Sequence, residues 1–510
     1  MRIRVNASDF DADPSQPESW IDHEGEVLRS LPGRRVYRAD AGGLPVVVKE
    51  YTPGRFLDYF RSRASEEAER AEAAKNRGIP VVEAVAFARY ANGVERLFLR
   101  EVAGARSLSD VVLSGGARGG ARHELAQRVG ELIAKLHSEG FQHRDLHAGN
   151  ILVKPDGEVL FADAAGLRPG HYLRERERAR SLAAFAPFFL THASRTDLLL
   201  FWGAYGRASG LAPDDLERLR GHAMEKIPGA FRDLTRRRAR AERTRGTPVA
   251  LGGFRGVVTG EIDSLLLEQI VDAARDLKRA PNVLKRSRSG WTFTTGTGST
   301  EYVVKVYLPK KITRSLRDFF LGTRAERAQR AAHALRHRGF RTPEVVAVLT
   351  DPEGTCRSIL VTRFARGFVP VDECAPHLEP RRARALAIQF GRLLRRMHDW
   401  GLRHRDLKKD NFLFSADGRE VMFLDLDGVQ EMRSGELPWA RRMRDLGNLA
   451  GSLLDRNAVP TGLRLRALAA YLGDEDPPGW GPGEFAWKTV EKAKEYQRSK
   501  LTYLETTEGP

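Results

Sequence analysis

Residues 141–153, "FQHRDLHAGNILV", return as "LRHRDLKKDNFLF" at 402–414, and this repeat constrains the fold more than any other feature of the chain. His143 and His404, Asn150 and Asn411, and Gly78 and Gly339 are each 261 residues apart. Around the first pair, "LHSEGFQHRDLHAGN" and "MHDWGLRHRDLKKDN" share seven of fifteen positions. One register held over so long a stretch indicates a duplicated domain. A period of this size is too large for a stacked solenoid.

Each copy carries the same order of elements. Strands ending near a lysine open it: "LPVVVKEY" with Lys49, and "EYVVKVY" with Lys305. A charged helical stretch follows, then a strand region, "VERLFLREV" or "RSILVTRFA". "ELAQRVGELIAKLH" places Leu125, Val129, Leu132, Ile133 and Leu136 at helical spacing, and "ALAIQFGRLLRRMH" does likewise. The His-Arg-Asp loop comes next, then a short hairpin turning at "PDGE" or "ADGRE", then further helices. Strands first and helices later predict an α+β fold, with two tandem domains that each join a small β-rich lobe to a helical lobe. The Arg-rich stretch running into Thr, Pro and Gly, "RRRARAERTRGTPVALGGFRG", suits a boundary. The expected division is 1–245, a linker or lead-in at 246–280, and 281–510.

The repeated polar residues fit phosphoryl transfer, which needs a cation on the phosphates, oxygen ligands for a metal ion and a carboxylate to orient the attacking hydroxyl. Lys49 and Lys305 sit in apolar strands, where an unpaired ammonium is costly to desolvate. Asp145 and Asp406 are placed to orient an acceptor, while Asn150 and Asn411 are placed to hold a metal ion. Asp163 in "LFADAAG" and Asp425 in "MFLDLDG" close apolar strands where the main metal ligand belongs. Taken singly, each has an ordinary reading: an edge-strand lysine in water, or a turn Asp or Asn satisfying its own backbone. Their recurrence in one order argues for chemistry. His143 and His147 lack a nearby cysteine or third ligand, so zinc is not expected.

These stretches resemble the bacterial lipopolysaccharide kinase family, which phosphorylates Kdo or heptose of the inner core and belongs to the protein-kinase-like superfamily. "PGRRVYRADAGGLPVVVKEY", "RASEEAERAEAAKNRGIPVV", "LHSEGFQHRDLHAGNILV" and "RTDLLLFWGAYGRASGL" carry the resemblance over residues 25–245, and it recurs more loosely over 280–500. It implies an ATP- and Mg²⁺-dependent kinase acting on a sugar hydroxyl of an anionic glycolipid. It also implies a glutamate on the charged helix to aim the strand lysine. Eleven residues before Gly78 stands Glu67, whereas the same count from Gly339 reaches Ala328. Glu326 is two residues earlier and faces elsewhere on a helix, and Glu66 is rotated from Glu67 by about 100°. The first copy is therefore expected to carry most transfer, and the second to bind nucleotide and act slowly or regulate.

The chain also departs from the superfamily pattern. It has no "GxGxxG": Gly33 in "SLPGRRVYR" is the nearest phosphate-loop candidate, Gly290 stands alone in "SRSGWTFTT", and "TGTGST" reads as a hairpin tip. Neither copy has a Phe after its metal Asp. The second copy has Lys408 two residues past its Asp, as protein Ser/Thr kinases do, where it would reach the transferred phosphate; the first has His147.

Composition narrows the remaining readings. No run reaches the roughly 18 apolar residues of a membrane span. The N-terminal segment shows neither an apolar signal region nor Gly at position 2. Two cysteines, Cys356 and Cys374, make no disulfide framework, which suits a reducing cytoplasm. The net charge of +17 favours anionic partners, with peripheral contact at an anionic inner membrane face among them. Solvated arginines on helix faces account for it equally well. No nucleic-acid module is recognisable. Walker A, Ser-nucleophile and "HExxH" motifs are absent. Two other functions stay open: a protein Ser/Thr kinase, which Lys408 favours but the lack of "APE" does not, and a nucleotide-binding scaffold without transfer.

Overall fold

The computed structural model describes the chain except residues 1, 12, 14, 32, 54–61, 171, 309–321, 352–356, 433–435, 455–458, 474–476, 478–480 and 508–510; for 2, 299 and 500–507 it describes the backbone alone. Cys356 lies outside the described residues, and Cys374 is a buried free thiol. The fold is mixed α+β and divides into two compact units, Met1–Ile227 and Pro228–Pro510. The division falls inside one helix, Pro213–Arg245, which takes up the Arg-rich part, residues 236–245, of the stretch read as a boundary.

The first unit opens with an antiparallel sheet of six described strands: β1 (Arg2–Val5), β2 (Ile21–Leu31), β3 (Arg34–Ala41), β4 (Leu44–Tyr51), β5 (Ala84–Arg89) and β6 (Glu95–Arg100). Their order across the sheet is β1-β5-β6-β4-β3-β2. Side chains alternate along β4 between two faces. Val46 and Val48 join a core of Trp20, Phe10, Tyr37 and Phe98, while Tyr51 packs on the other face with Ala64 and Ala68 of helix α1 (Arg63–Asn76). Lys49 shares the face of Tyr51, so the strand pattern sends it toward α1 and the polar loops beyond. Ser62 caps the start of α1 by accepting from the Ser65 amide.

The helix Gly119–Ser138 buries Leu125, Val129, Leu132, Ile133 and Leu136, the residues expected from its periodicity. It lies so close to the helix Arg195–Ser209 that a Cβ on Gly130 would stand 2.5 Å from the Phe201 carbonyl oxygen. The helix Pro380–Asp399 of the second unit repeats the approach, with Gly391 against Ala467 of the helix Thr461–Leu472.

The second unit has a sheet of seven described strands, in the order Thr247–Leu251, Phe254–Val258, Val345–Thr350, Ser358–Arg363, Tyr302–Tyr307, Gly290–Thr295, Val283–Ser287. Its first two strands, and the helix Ser264–Arg275, come from residues 246–280. That stretch is therefore folded as part of the sheet unit and is no free linker. Gly252 and Gly253, both at positive φ, make the two-residue turn of the hairpin. Leu267, Ile270, Val271 and Ala274 of the helix pack with Val304 and Val306 of the lysine strand. "TGTGST" connects Gly290–Thr295 to its partner Tyr302–Tyr307, a hairpin tip.

Gly78 and Gly339 share one structural task. Each follows a helix, α1 or Arg324–His337, at φ of 66° and 70°. Each helix closes with the same pair of backbone bonds, Gly78 to Lys75 and Ile79 to Ala74, or Gly339 to Arg336 and Phe340 to Leu335. This is the Schellman closure, and its left-handed position favours glycine.

Candidate active site

The chemistry of the first unit collects at the open end of β4. Lys49, 6% exposed, donates to Glu67 Oε1 at 2.5 Å and to Asp163 Oδ1 at 2.9 Å. Tyr51 donates to the other oxygen of Glu67 at 2.8 Å. Strand β4, helix α1 and the loop after Val159–Phe161 are thereby tied together by one ammonium. Burial alone would lower the Lys49 pKa, but the attraction of Glu67 and Asp163 outweighs it and holds the ammonium charged. Of the two carboxyl groups, burial pushes Glu67 up. Asp163, also opposed by burial, is held well below the usual carboxylate range by Lys49.

A second set of bonds joins the His-Arg-Asp loop to the Asp163 loop. The buried ring of His143 lies 2.8 Å from the Asp163 carbonyl through Nε2, and its Nδ1 accepts from the Asp145 amide at 3.2 Å. Burial holds this imidazole below its usual pKa, which favours the neutral ring that this pairing requires. Backbone bonds from Arg144 to Gly166 and from Ala162 to Asn150 complete the connection. The ring fills the space where a Gly166 Cβ would stand, 2.4 Å from Cε1. Asp145 stays half exposed, with His147 Nε2 3.6 Å from it. Asn150 donates its amide nitrogen to the Asp145 carbonyl at 2.9 Å, so its amide oxygen is the atom suited to a cation. The backbone bond from Ala162 to Asn150 joins the Asp163 and Asn150 loops, and a carboxylate with an amide oxygen is a hard-oxygen donor pair of the kind that fits Mg²⁺, which takes further ligands from phosphate and water. Among the described residues no larger cluster of metal-ligating side chains occurs. Gly33 sits in the turn before β3 at φ 75°, and its carbonyl accepts from the Thr52 amide just past β4.

The second unit repeats the frame. His404 Nε2 lies 3.2 Å from the Asp425 carbonyl, Arg405 bonds Gly428, Leu424 bonds Asn411, and Asn411 donates to the Asp406 carbonyl at 2.6 Å. Lys408 donates to Asp406 Oδ2 at 2.6 Å. Lys305 bonds Asp425 and, at 2.9 Å, Asp427 Oδ1. Ala328 is fully buried, while Glu326 caps its own helix by accepting from the Thr323 amide at 2.7 Å. The helix thus has Ala328 at the count that gives Glu67 in the first unit, and the carboxylate of Asp427 meets Lys305 from the loop side.

The model of the lipopolysaccharide kinase (Kdo/WaaP) family matches residues 18–185 and again 275–463. The chain belongs to this family. It is 32% identical over 113 residues to the 3-deoxy-D-manno-octulosonic acid kinases of Xylella fastidiosa strains M12 and 9a5c. That match takes in 21% of this chain and 43% of each relative. Both matched segments contain the strand lysine, the His-Arg-Asp loop and the Asp, 163 or 425, that follows the hairpin of their unit.

Three further residues at these family sites escaped the sequence reading. Arg34, first residue of β3, lies with its guanidinium 5.5 Å from the Tyr51 ring centre, and its charge acts on Lys49 and Asp163. Its buried Nε has no hydrogen-bond partner among the described residues. Asp427 bonds Lys305 at 2.9 Å and Arg324 at 2.7 Å. The doubled "DLD" of "MFLDLDG" was the one visible signal for Asp427.

Proposed function

We propose that this protein is an ATP- and Mg²⁺-dependent kinase that phosphorylates a sugar hydroxyl of a lipopolysaccharide core-type glycolipid, with most transfer at the first unit. The Lys49–Glu67–Asp163 cluster beside the Asp145–Asn150 loop carries this reading. Lys49 would turn to the nucleotide phosphates, and Asn150 and Asp163 would hold Mg²⁺, which supplies charge neutralisation on those phosphates. Asp145 would accept a hydrogen bond from the sugar hydroxyl and aim its oxygen at the terminal phosphorus. As that oxygen–phosphorus bond forms, ADP leaves with the bond to its bridging oxygen, and the hydroxyl proton passes to Asp145 or solvent. Catalysis is then positioning and electrostatics, without a covalent enzyme intermediate. The test is transfer from [γ-³²P]ATP to isolated lipopolysaccharide core, free Kdo and generic protein. Label on the core or Kdo supports the reading. Label on protein alone would replace it with the protein-kinase reading that the Lys408–Asp406 pair favours.

A glycolipid substrate of this kind would put the work at the cytoplasmic membrane face. No described helix is long and apolar enough to cross a bilayer. The exposed arginines of Pro213–Arg245, Arg236, Arg240 and Arg243 among them, offer a peripheral contact. Changing these three to Gln should weaken binding to anionic vesicles by about 1 kcal/mol each at low salt. Unchanged sedimentation with vesicles would mark them as a solvated face.

A further inference from the structure

Around Lys305 the second unit rebuilds the first unit's polar triad with a carboxylate from another element. In the first unit, Lys49 and Tyr51 converge on Glu67 of α1. In the second, Lys305 Nζ and Tyr307 Oη converge on Asp427 Oδ1, at 2.9 Å and 3.4 Å. Asp427 belongs to the short turn Leu426–Gly428, two residues beyond Asp425. Ala165 stands at its place in the first unit, one residue before Gly166 as Asp427 is before Gly428. The other oxygen, Oδ2, accepts from Arg324 Nε at 3.2 Å and Nη2 at 2.7 Å. Arg324 begins the helix Arg324–His337, lies over the Tyr307 ring at 4.5 Å and donates to the Ser289 carbonyl at 2.8 Å.

We propose that Asp427 is the positioning residue that aims Lys305 at the nucleotide phosphates of the second unit, with Arg324 linking it to the helix. Glu67 makes the corresponding connection within one side chain. Here it takes two, an aspartate on the loop and an arginine on the helix. Asp427 is a poor choice for a metal ligand, because both of its oxygens are engaged and its side chain is only 9% exposed. Asp425 is 30% exposed and stands two residues past the strand Val421–Phe423. The proposal rests on reading this unit as a nucleotide site.

The experiment uses the full chain with K49M, so that Mg-ATP titration calorimetry reports the second unit. D427N should weaken binding about ten- to a hundredfold, the range for a lost hydrogen bond to a charged group. Either D427E or the double change A328E/D427N, which puts a carboxylate where the first unit has it, should regain most of that loss. Thermal melts of each variant accompany the titrations. Loss in D427N that neither change reverses would overturn the proposal and mark Asp427 as structural. Unchanged affinity in D427N, with binding lost in K305M, would overturn it and leave the nucleotide site standing. No Mg-ATP binding by the K49M chain would overturn the nucleotide reading of this unit, and the proposal with it.

Discussion

Arg34 brings a second positive charge near Lys49, and its buried Nε has no hydrogen-bond partner among the described residues. In the proposed nucleotide site, which has no glycine-rich phosphate loop, such a guanidinium would stand in for backbone donors. Arg34→Ala should therefore raise the KM for ATP about five- to tenfold with little change in thermal stability, read from initial rates at varied ATP. His137 shows what burial does to a group outside this chemistry. Its Nδ1 meets the Tyr205 hydroxyl at 2.9 Å, and burial holds its pKa down to about 3. The unfolded chain protonates this histidine near pH 6.5, and the folded one only near 3. The stability it confers is whole above pH 6.5 and is lost as the pH falls through that window. The slope is about 1.4 kcal/mol per pH unit. Urea melts at pH 7 and pH 5 should show about 2 kcal/mol of pH-dependent loss that is absent from His137→Asn. Lys49, Glu67 and Asp163 were legible in the sequence because the strand, helix and loop spacings each point to them. Arg34, Arg324 and Asp427 were not. They act through contacts such as Arg324 to Asp427, 103 residues apart, which no local periodicity encodes.

At the scale of elements, the helix Gly119–Ser138 depends on a missing side chain. A methyl group at Gly130 would meet the Phe201 carbonyl, and neither helix can move away without opening the core around Leu132, Ile133 and Tyr205. Gly130→Ala should cost about 1–3 kcal/mol by overpacking, seen as a lower denaturant midpoint with an unchanged slope. Most of the architecture was legible at this scale. The apolar stripe of that helix, the lysine strands and the two closing glycines all read correctly from pattern. Residues 246–280 read as a lead-in because Thr, Pro and Gly obscured the hairpin. The Gly252–Gly253 pair between alternating apolar residues, and the stripe of "SLLLEQIVDAAR", were signals of a folded segment.

For the whole molecule, the duplication supplies two candidate centres of unequal construction. In the first, the ammonium is tied to its helix by a single glutamate; in the second, Asp406 is held by Lys408 and the helix is reached through Asp427 and Arg324. Asp145→Asn should abolish most phosphate transfer to glycolipid, while Asp406→Asn leaves a substantial fraction, both proteins having wild-type melting behaviour. The reverse ranking would assign turnover to the second unit. The same asymmetry has a pharmacological side. A compound that locks helix α1 with Glu67 turned away from Lys49 would find no counterpart of that glutamate around Lys305. It would silence one half of the chain and spare the other, so a single small molecule could separate the two centres inside a living cell without any mutation.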